Sequence, residues 1–306
     1  MGKIAFLFAG QGAQYPGMGE AFYSASPAAK AVFDAVEAAR PGTLEQCFHG
    51  DAETLKRTDV TQPCLFATDL ACAMAAVEAG VKADCCAGFS LGELCAVHFA
   101  GLYPVLDEVI RLVITRGEAM QRCNEAHPGA MAAVLKLTAA QVEDICAGID
   151  GAWPVNYNCP GQTVVACAAD KLAEVTAAVK TAGGRCLPLK VGGSFHTPLM
   201  KPAYSALAEI LPPMRNGVPA IPVYSNYKGE PYRLNECRHW LCEQVCNPVR
   251  WQQIIEAMAA DGVDTFLEFG PGTTLAGLVK RTLPEARTAS ICDPESLKAW
   301  LNSNEE

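Results

Sequence analysis

The sequence predicts an α/β fold, a parallel-sheet core interrupted by a smaller inserted domain. Three observations carry this. Short apolar runs of strand length alternate with longer helix-patterned segments over the first 125 residues. After His127-Pro128-Gly129 the order changes, and two strand-like runs follow one another between helical segments. The last third ends on another apolar run at 265–269, the turn "GPGTT" and a helical pattern.

Residues 3–8 read as a buried strand, followed by the Gly-rich "AGQGAQYPGMG". Helical patterns cover 28–39 and 63–79, and 84–89 reads as a short strand. Residues 91–102 and 107–123 are helical. In the middle, 130–135 reads as a strand, 139–147 as a helix, and 153–157 and 163–168 as strands. Residues 171–182 read as a helix and 185–191 as a strand. That order, βαββαβ, makes a ferredoxin-like unit of about 65 residues. Gly192-Gly193 closes it, and Pro198 opens a new helix with Thr197 as its cap. The expected organisation is a large α/β domain, residues 1–125 and 198–306, and a small domain, residues 126–197.

A chain of 306 residues accommodates about two domains. It is 50% hydrophobic and 19% charged, as ordinary globular proteins are. A net charge of −9 argues against nucleic acid as a partner. Fifteen cysteines sit in apolar runs with no C-x-x-C pair and no zinc-ligand spacing, which reads as a reduced, cytoplasmic chain using cysteine as a small core residue. The first apolar run is too short for a signal-peptide core or a membrane span, and Phe6 replaces the hydroxyl residue of a myristoylation signal. Gly10 and Gly12 begin a G-x-G, but Tyr15 breaks the dinucleotide fingerprint, so no nicotinamide cofactor is expected.

"GFSLGE", Gly88 to Glu93, stands at the predicted strand-to-helix junction. G-x-S-x-G in that context is a nucleophile elbow. Its glycines let the backbone crowd through a strained turn that exposes the Ser90 hydroxyl. The following helix aims backbone N–H groups at a developing oxyanion.

A serine nucleophile needs a base, and the chain has five histidines. His98 is on the same helix, about 12 Å along it, and its apolar stripe with Leu91, Cys95 and Leu102 reads as packing. His49 and His239 have polar neighbours, and His127 precedes a proline. His196 lies where the small domain hands the chain back, a place where sites often form. The residues alone leave it open between a base and a loop histidine. No acid declares itself: Asp107, Glu143 and Asp170 read as helical-surface residues. A Ser–His dyad is supported, and a full triad is not.

Val109, Leu112, Val113, Arg116 and Met120 fall on one helix face. An arginine there either snorkels, pairs with a structural carboxylate, or awaits a ligand anion.

Together these residues resemble the malonyl-CoA:acyl carrier protein transacylase family of fatty-acid and polyketide synthesis. "GQGAQ" (10–14), "GFSLGE", "RGEAMQ" (116–121), "NCPGQTVVA" (158–166), "SFHTPLM", "QVCNPVRW" (244–251) and "EFGPG" (268–272) are similar to its motifs in order, almost end to end. The resemblance implies a hydrolase-like core with a ferredoxin-like insertion. It implies Ser90 as nucleophile and His196 as base then acid, with the Gln244 carbonyl orienting the histidine. Backbone N–H groups of Gln11 and Leu91 would form the oxyanion hole, and Arg116 would grip the malonyl carboxylate. Met120 and Phe195 would line the acyl pocket, Phe195 as in the malonyl-selecting form. Where the family usually carries histidine before the serine, this sequence has Phe89, which removes a polar neighbour from the site.

The implied reaction is ping-pong transfer from malonyl-CoA to the phosphopantetheine thiol of acyl carrier protein, with no metal or other cofactor. The chain is expected to be a cytoplasmic monomer that binds neither membrane nor nucleic acid. Acyl carrier proteins are acidic, and Lys190, Lys201 and Arg185 are candidates for a basic patch facing one. The alternatives are a polyketide or malonate-decarboxylase acyltransferase, a serine thioesterase or hydrolase, and a non-catalytic carrier-binding subunit.

Overall fold

Nine strands form two sheets among the described residues, 2–189 and 191–303, of the computed structural model. In chain order they are β1 (Lys3–Phe8), β2 (Cys85–Gly88), β3 (Gly129–Leu135), β4 (Ala152–Cys159), β5 (Gln162–Ala168), β6 (Arg185–Pro188), β7 (Val223–Tyr224), β8 (Val263–Phe269) and β9 (Arg287–Ile291). The larger sheet runs β7-β2-β1-β8-β9, and every pair in it is parallel.

Helices cover both faces of such a sheet, so its central strand is apolar throughout rather than alternating. β1 shows this, with Ala5 to Phe8 all buried. Phe6 meets Phe269 of β8 at 4.4 Å between ring centroids, and Phe8 meets Phe99 at 5.6 Å. The helix Thr58–Glu78 is long and apolar enough to cross a membrane, but 89% of its most apolar stretch is packed inside the protein. Its apolarity is that of a core helix.

The second sheet, β4-β5-β3-β6, is antiparallel. Its helices Ala139–Ala147 and Leu172–Thr181 share one core with it, through Val142, Val175 and Val179 against Val134 and Val165. The βαββαβ order of the sequence reading is therefore the observed order. At a register shift in β4, Tyr157 N–H donates to the Val249 carbonyl at 2.9 Å, and Val249 N–H donates to the Val155 carbonyl at 2.8 Å. These bonds tie the small sheet to the segment following Gln244, beside the strand-to-helix elbow.

The cysteines are free, and all but Cys186, Cys246 and Cys292 are buried, as their apolar settings predict.

Several boundaries move. The helix expected from residue 63 begins at Thr58, with Pro63 inside it. Read as a helix start, this proline sits instead in the second turn, where its missing N–H removes one i→i−4 hydrogen bond. The strand expected to reach residue 191 ends at Pro188. Pro198 opens a short 3₁₀ turn capped by Thr197, whose Oγ1 accepts from Leu199 N–H, and the α-helix itself starts at Lys201. The edge strands β7 and β9 and the helices Glu20–Ala25, Thr43–His49, Cys237–Glu243, Trp251–Ala260 and Pro294–Asn302 have no counterpart in the sequence reading.

Candidate active site

β2 is followed by the elbow, and its geometry explains both glycines. A Cβ on Gly88 would lie 1.9 Å from the Gly92 carbonyl carbon. One on Gly92 would lie 2.3 Å from the Phe8 carbonyl oxygen of β1. Only glycine allows the helix Gly92–Phe99 to start this close to the sheet. Ser90, between them, is forced to a φ of 53°, a strained conformation for a residue with a side chain.

His196 reaches Ser90 from the loop that follows β6. It too has a positive φ, 62°, and is 4% exposed. Its Nδ1 lies 2.8 Å from the Gln244 carbonyl oxygen and its Nε2 2.8 Å from Ser90 Oγ. A carbonyl only accepts, so Nδ1 carries the proton and Nε2 is left to accept from the serine hydroxyl. Burial, then the nearby Arg116, push the imidazole down to about 4, so it is neutral and ready to take a proton at neutral pH. The other histidines take no part. His98 Nδ1 donates to the Tyr103 carbonyl, 2.9 Å away, and His49, His127 and His239 are exposed. Asp107, Glu143 and Asp170 are also exposed.

Arg116 is 1% exposed and does not snorkel. Nη1 donates to Gln62 Oε1 at 2.7 Å; Nη2 donates to Gln244 Oε1 at 2.9 Å and to Ser90 Oγ at 3.1 Å. All three acceptors are neutral. Among the described residues no carboxylate stands within ion-pair distance of it. Burial lowers the guanidinium to about 10, partly opposed by Glu93, so it keeps its charge at neutral pH. The structural-carboxylate alternative therefore fails, and a buried cation stands beside the serine hydroxyl with capacity for an anion.

Ser90, Arg116 and His196 open on one small cavity of about 60 Å³, which Gln11, Leu91, Met120 and Phe195 also line. Every residue singled out from the sequence for this site except Gln244 is on its wall, and Gln244 lies directly behind it. Met120 Sδ accepts from Gln62 Nε2 at 3.4 Å. Gln11 donates through Nε2 to Thr58 Oγ1 at 3.1 Å, and Leu91 caps the elbow helix. Phe89 packs edge-on against Trp251, centroids 5.3 Å apart, and stands between the small cavity and a groove of about 500 Å³. Of the expected basic patch, Arg185 and Lys201 are exposed, Lys201 over the Tyr204 ring, and Lys190 lies outside the described residues.

Sequence reasoning missed four side chains here. Gln62 and Asn226 are buried hydrogen-bonding partners of Arg116 and of the elbow. Asn156, on β4, lines both cavities with its Oδ1 unpartnered. Glu93 is completely buried. An acid in the first helical turn ordinarily faces water and complements the macrodipole, so nothing local marked it. The available signal was its place within "LGELCAV", where every residue is buried.

A hydroxyl strained outward, with a neutral imidazole on its proton and a helix N-terminus beside it, is arranged to take up and pass on an acyl group. The Acyl transferase domain family matches residues 5–295, nearly the whole chain, and the protein is an acyltransferase. It belongs to the malonyl CoA-acyl carrier protein transacylase family. The malonyl CoA-acyl carrier protein transacylase of Bacillus subtilis is 37% identical over 313 residues, covering 100% of this chain and 98% of its own. The crystal structure of malonyl CoA-acyl carrier protein transacylase from Clostridium perfringens superposes with a TM-score of 0.94 at 35% identity, over 99% of this chain and 97% of that one. A type II PKS acyl-carrier protein in complex with its malonyl-transacylase gives 0.93 at 34% identity, over 99% and 100%.

Proposed function

We propose that the chain transfers malonyl from malonyl-CoA to the phosphopantetheine thiol of acyl carrier protein by a ping-pong route through Ser90, supplying fatty-acid synthesis. The observation that carries this reading is the buried Arg116, with no carboxylate in contact among the described residues, in the same small cavity as Ser90 and His196. An acyl group bearing a free carboxylate supplies the anion that the site lacks, held by two guanidinium N–H groups.

In the first half-reaction Ser90 Oγ attacks the thioester carbonyl carbon while its proton passes to His196 Nε2. The oxyanion is held by backbone N–H groups of Gln11 and Leu91. The C–S bond then breaks, the sulfur leaves with the proton from His196 as CoA, and malonyl remains as an ester on Ser90. In the second half-reaction the carrier thiol gives its proton to His196 and attacks the ester carbonyl. Ser90 recovers the proton as it leaves. The Gln244 carbonyl holds the histidine tautomer through both.

Met120 and Phe195 limit the acyl pocket to a short chain. The wider groove takes the pantetheine arm, and the unpartnered amide oxygens of Asn156 and Asn158 on its wall suit the amide N–H groups of such an arm. Lys201 and Arg185 contribute positive charge for an acidic carrier. In this reading the parallel sheet is a hydrolase-like core formed by residues 1–125 and 198–306. Residues 126–197 are a ferredoxin-like insertion, supported by their strand order. The chain acts as a cytoplasmic monomer with no metal or other cofactor.

The test is intact-protein mass spectrometry after mixing with malonyl-CoA alone. A malonyl adduct on Ser90 that is discharged by holo acyl carrier protein is the expected result. The same adduct on Ser90→Ala, or discharge to water alone, would sink the reading, the latter in favour of a hydrolase.

A further inference from the structure

Glu93 has no part in the chemistry above, yet among the described residues it is the one carboxylate in the buried network around Arg116, and it reaches that arginine through a single side chain. Gln244 Nε2 donates to Glu93 Oε2 at 2.7 Å and to the Ser90 carbonyl oxygen at 2.6 Å. Both of its N–H bonds are thereby used. The amide oxygen must then face the other way, and it does, accepting from Arg116 Nη2 at 2.9 Å. A flipped amide would set its oxygen against a carboxylate and a carbonyl and its N–H groups against a guanidinium. Every contact would be repulsive. Glu93, with the Ser90 carbonyl beside it, thus decides which end of Gln244 the arginine meets.

The other carboxylate oxygen anchors the same turn. Glu93 Oε1 accepts from Asn226 N–H at 3.0 Å and from the Tyr232 hydroxyl at 2.5 Å. Asn226 in turn accepts from Ser90 N–H at 2.7 Å and donates to the Gly88 carbonyl at 2.7 Å. The Gln244 amide and Asn226, which Glu93 holds by its backbone N–H, therefore grip the elbow on both sides of its strained serine.

We infer that Glu93 is a positioning and selectivity residue: through the Gln244 amide it holds Arg116 in the orientation that receives a carboxylate-bearing acyl group. The inference rests on the malonyl reading of the site. Gln244 then has two separable functions, its backbone carbonyl serving His196 and its side chain serving Arg116. Glu93→Gln keeps the size and removes the carboxylate's share of that constraint: with its oxygen kept on Asn226 N–H and the Tyr232 hydroxyl, the new amide turns its NH2 toward Gln244 and favours the flipped orientation, opposed only by the Ser90 carbonyl. Arg116 then faces an N–H group in place of an acceptor.

The experiment compares acylation of Ser90 by malonyl-CoA and by acetyl-CoA at pH 8, as the ratio of the two kcat/KM values. Glu93→Gln should lower the ratio about tenfold to a hundredfold, the range for a lost hydrogen bond to a charged group. In an Arg116→Ala background the same substitution should leave the ratio unchanged, because the contact it acts on is gone. If Glu93→Gln does not fold, Gln244→Met breaks the relay from its other end with the backbone carbonyl retained, and the same two results are expected. A ratio unchanged in the single variant, or lowered equally in both backgrounds, overturns the inference. A wild-type enzyme that does not prefer malonyl-CoA overturns the functional reading itself. A wild type that loses its preference with Arg116→Ala and keeps it with Glu93→Gln overturns only the role of Glu93.

Discussion

His196 Nε2 lies 2.8 Å from Ser90 Oγ, and both residues hold the left-handed backbone conformation, with φ of 62° and 53°. Two strained residues, one in the turn after β2 and one in the loop after β6, meet at one hydrogen bond. The strain is sustained by the surrounding packing, and it means the hydroxyl and the imidazole are aligned before any ligand arrives. Replacing His196 by alanine should therefore slow acylation of Ser90 about a hundredfold to ten-thousandfold with the fold retained. Rapid-quench acylation with malonyl-CoA measures this, and a variant acylated at a near-normal rate would give the base role to another group.

The depressed imidazole also sets a pH dependence. Burial and Arg116 hold His196 at about 4, so the base is already unprotonated through the physiological range. Labelling of Ser90 by an uncharged sulfonyl fluoride should stay level from about pH 8 down to pH 5 and decline only beyond, unlike an ordinary histidine near 6.5. An inflection at pH 6 to 7 would show that the histidine is not desolvated as described.

Arg116→Ala should cost malonyl transfer about 2–5 kcal/mol, the range for breaking a buried charge contact. Acetyl transfer should change little or rise, since that acyl group never used the contact. Arg116→Lys should recover part of the malonyl activity, because an ammonium keeps the charge without the two-pronged geometry. The measurement is the ratio of the two kcat/KM values, which a folding defect would leave alone. Equal losses would make Arg116 structural.

Glu93 and His196 have opposite effects on stability. Burial pushes Glu93 up to about 7 against the three donors that hold it down. Between about pH 4.5 and 6.5 the folded chain therefore carries a proton on Glu93 that the unfolded chain lacks, which makes stability fall as pH rises. In the same window the unfolded chain protonates His196 and the folded chain does not, which makes stability rise with pH. The two slopes cancel. Glu93→Gln removes one of them, so relative to wild type its stability should drop by about 1.4 kcal/mol per pH unit as pH falls from 6.5 to 4.5. Urea unfolding across that window tests the difference, and parallel curves for the two proteins would contradict it.

Gly92→Ala should damage the elbow specifically. The new methyl would meet the Phe8 carbonyl oxygen at 2.3 Å and that of Ala9 at 2.5 Å, both backbone atoms of the central strand and its end. Forcing the helix off the sheet should cost about 1–3 kcal/mol of stability and slow Ser90 labelling by more than a loss of folded protein explains. Thermal unfolding and labelling on one sample separate the two, and an unchanged variant would show that the close approach is relaxed in solution.

Those parts of the protein whose physics is local are legible in the residues alone. The apolar run of β1, the amphipathic helix of Arg116, the βαββαβ succession and the glycines flanking Ser90 each declare themselves within a few residues, because periodicity and turn sterics act over that range. The place of His196 at the domain junction singled it out with its role left open, and the resemblance of seven short motifs gave that role and added Gln244. Tertiary structure alone decided what those residues touch. It placed His196 on Ser90 across 106 positions of chain, and it left Arg116 with neutral partners in place of a carboxylate. It buried Glu93, and the short edge strands β7 and β9 gain their definition only from pairing with β2 and β8. Burial and charge compensation belong to the whole packing arrangement, and a residue such as Glu93 reads as a surface acid until the elements around it close over it.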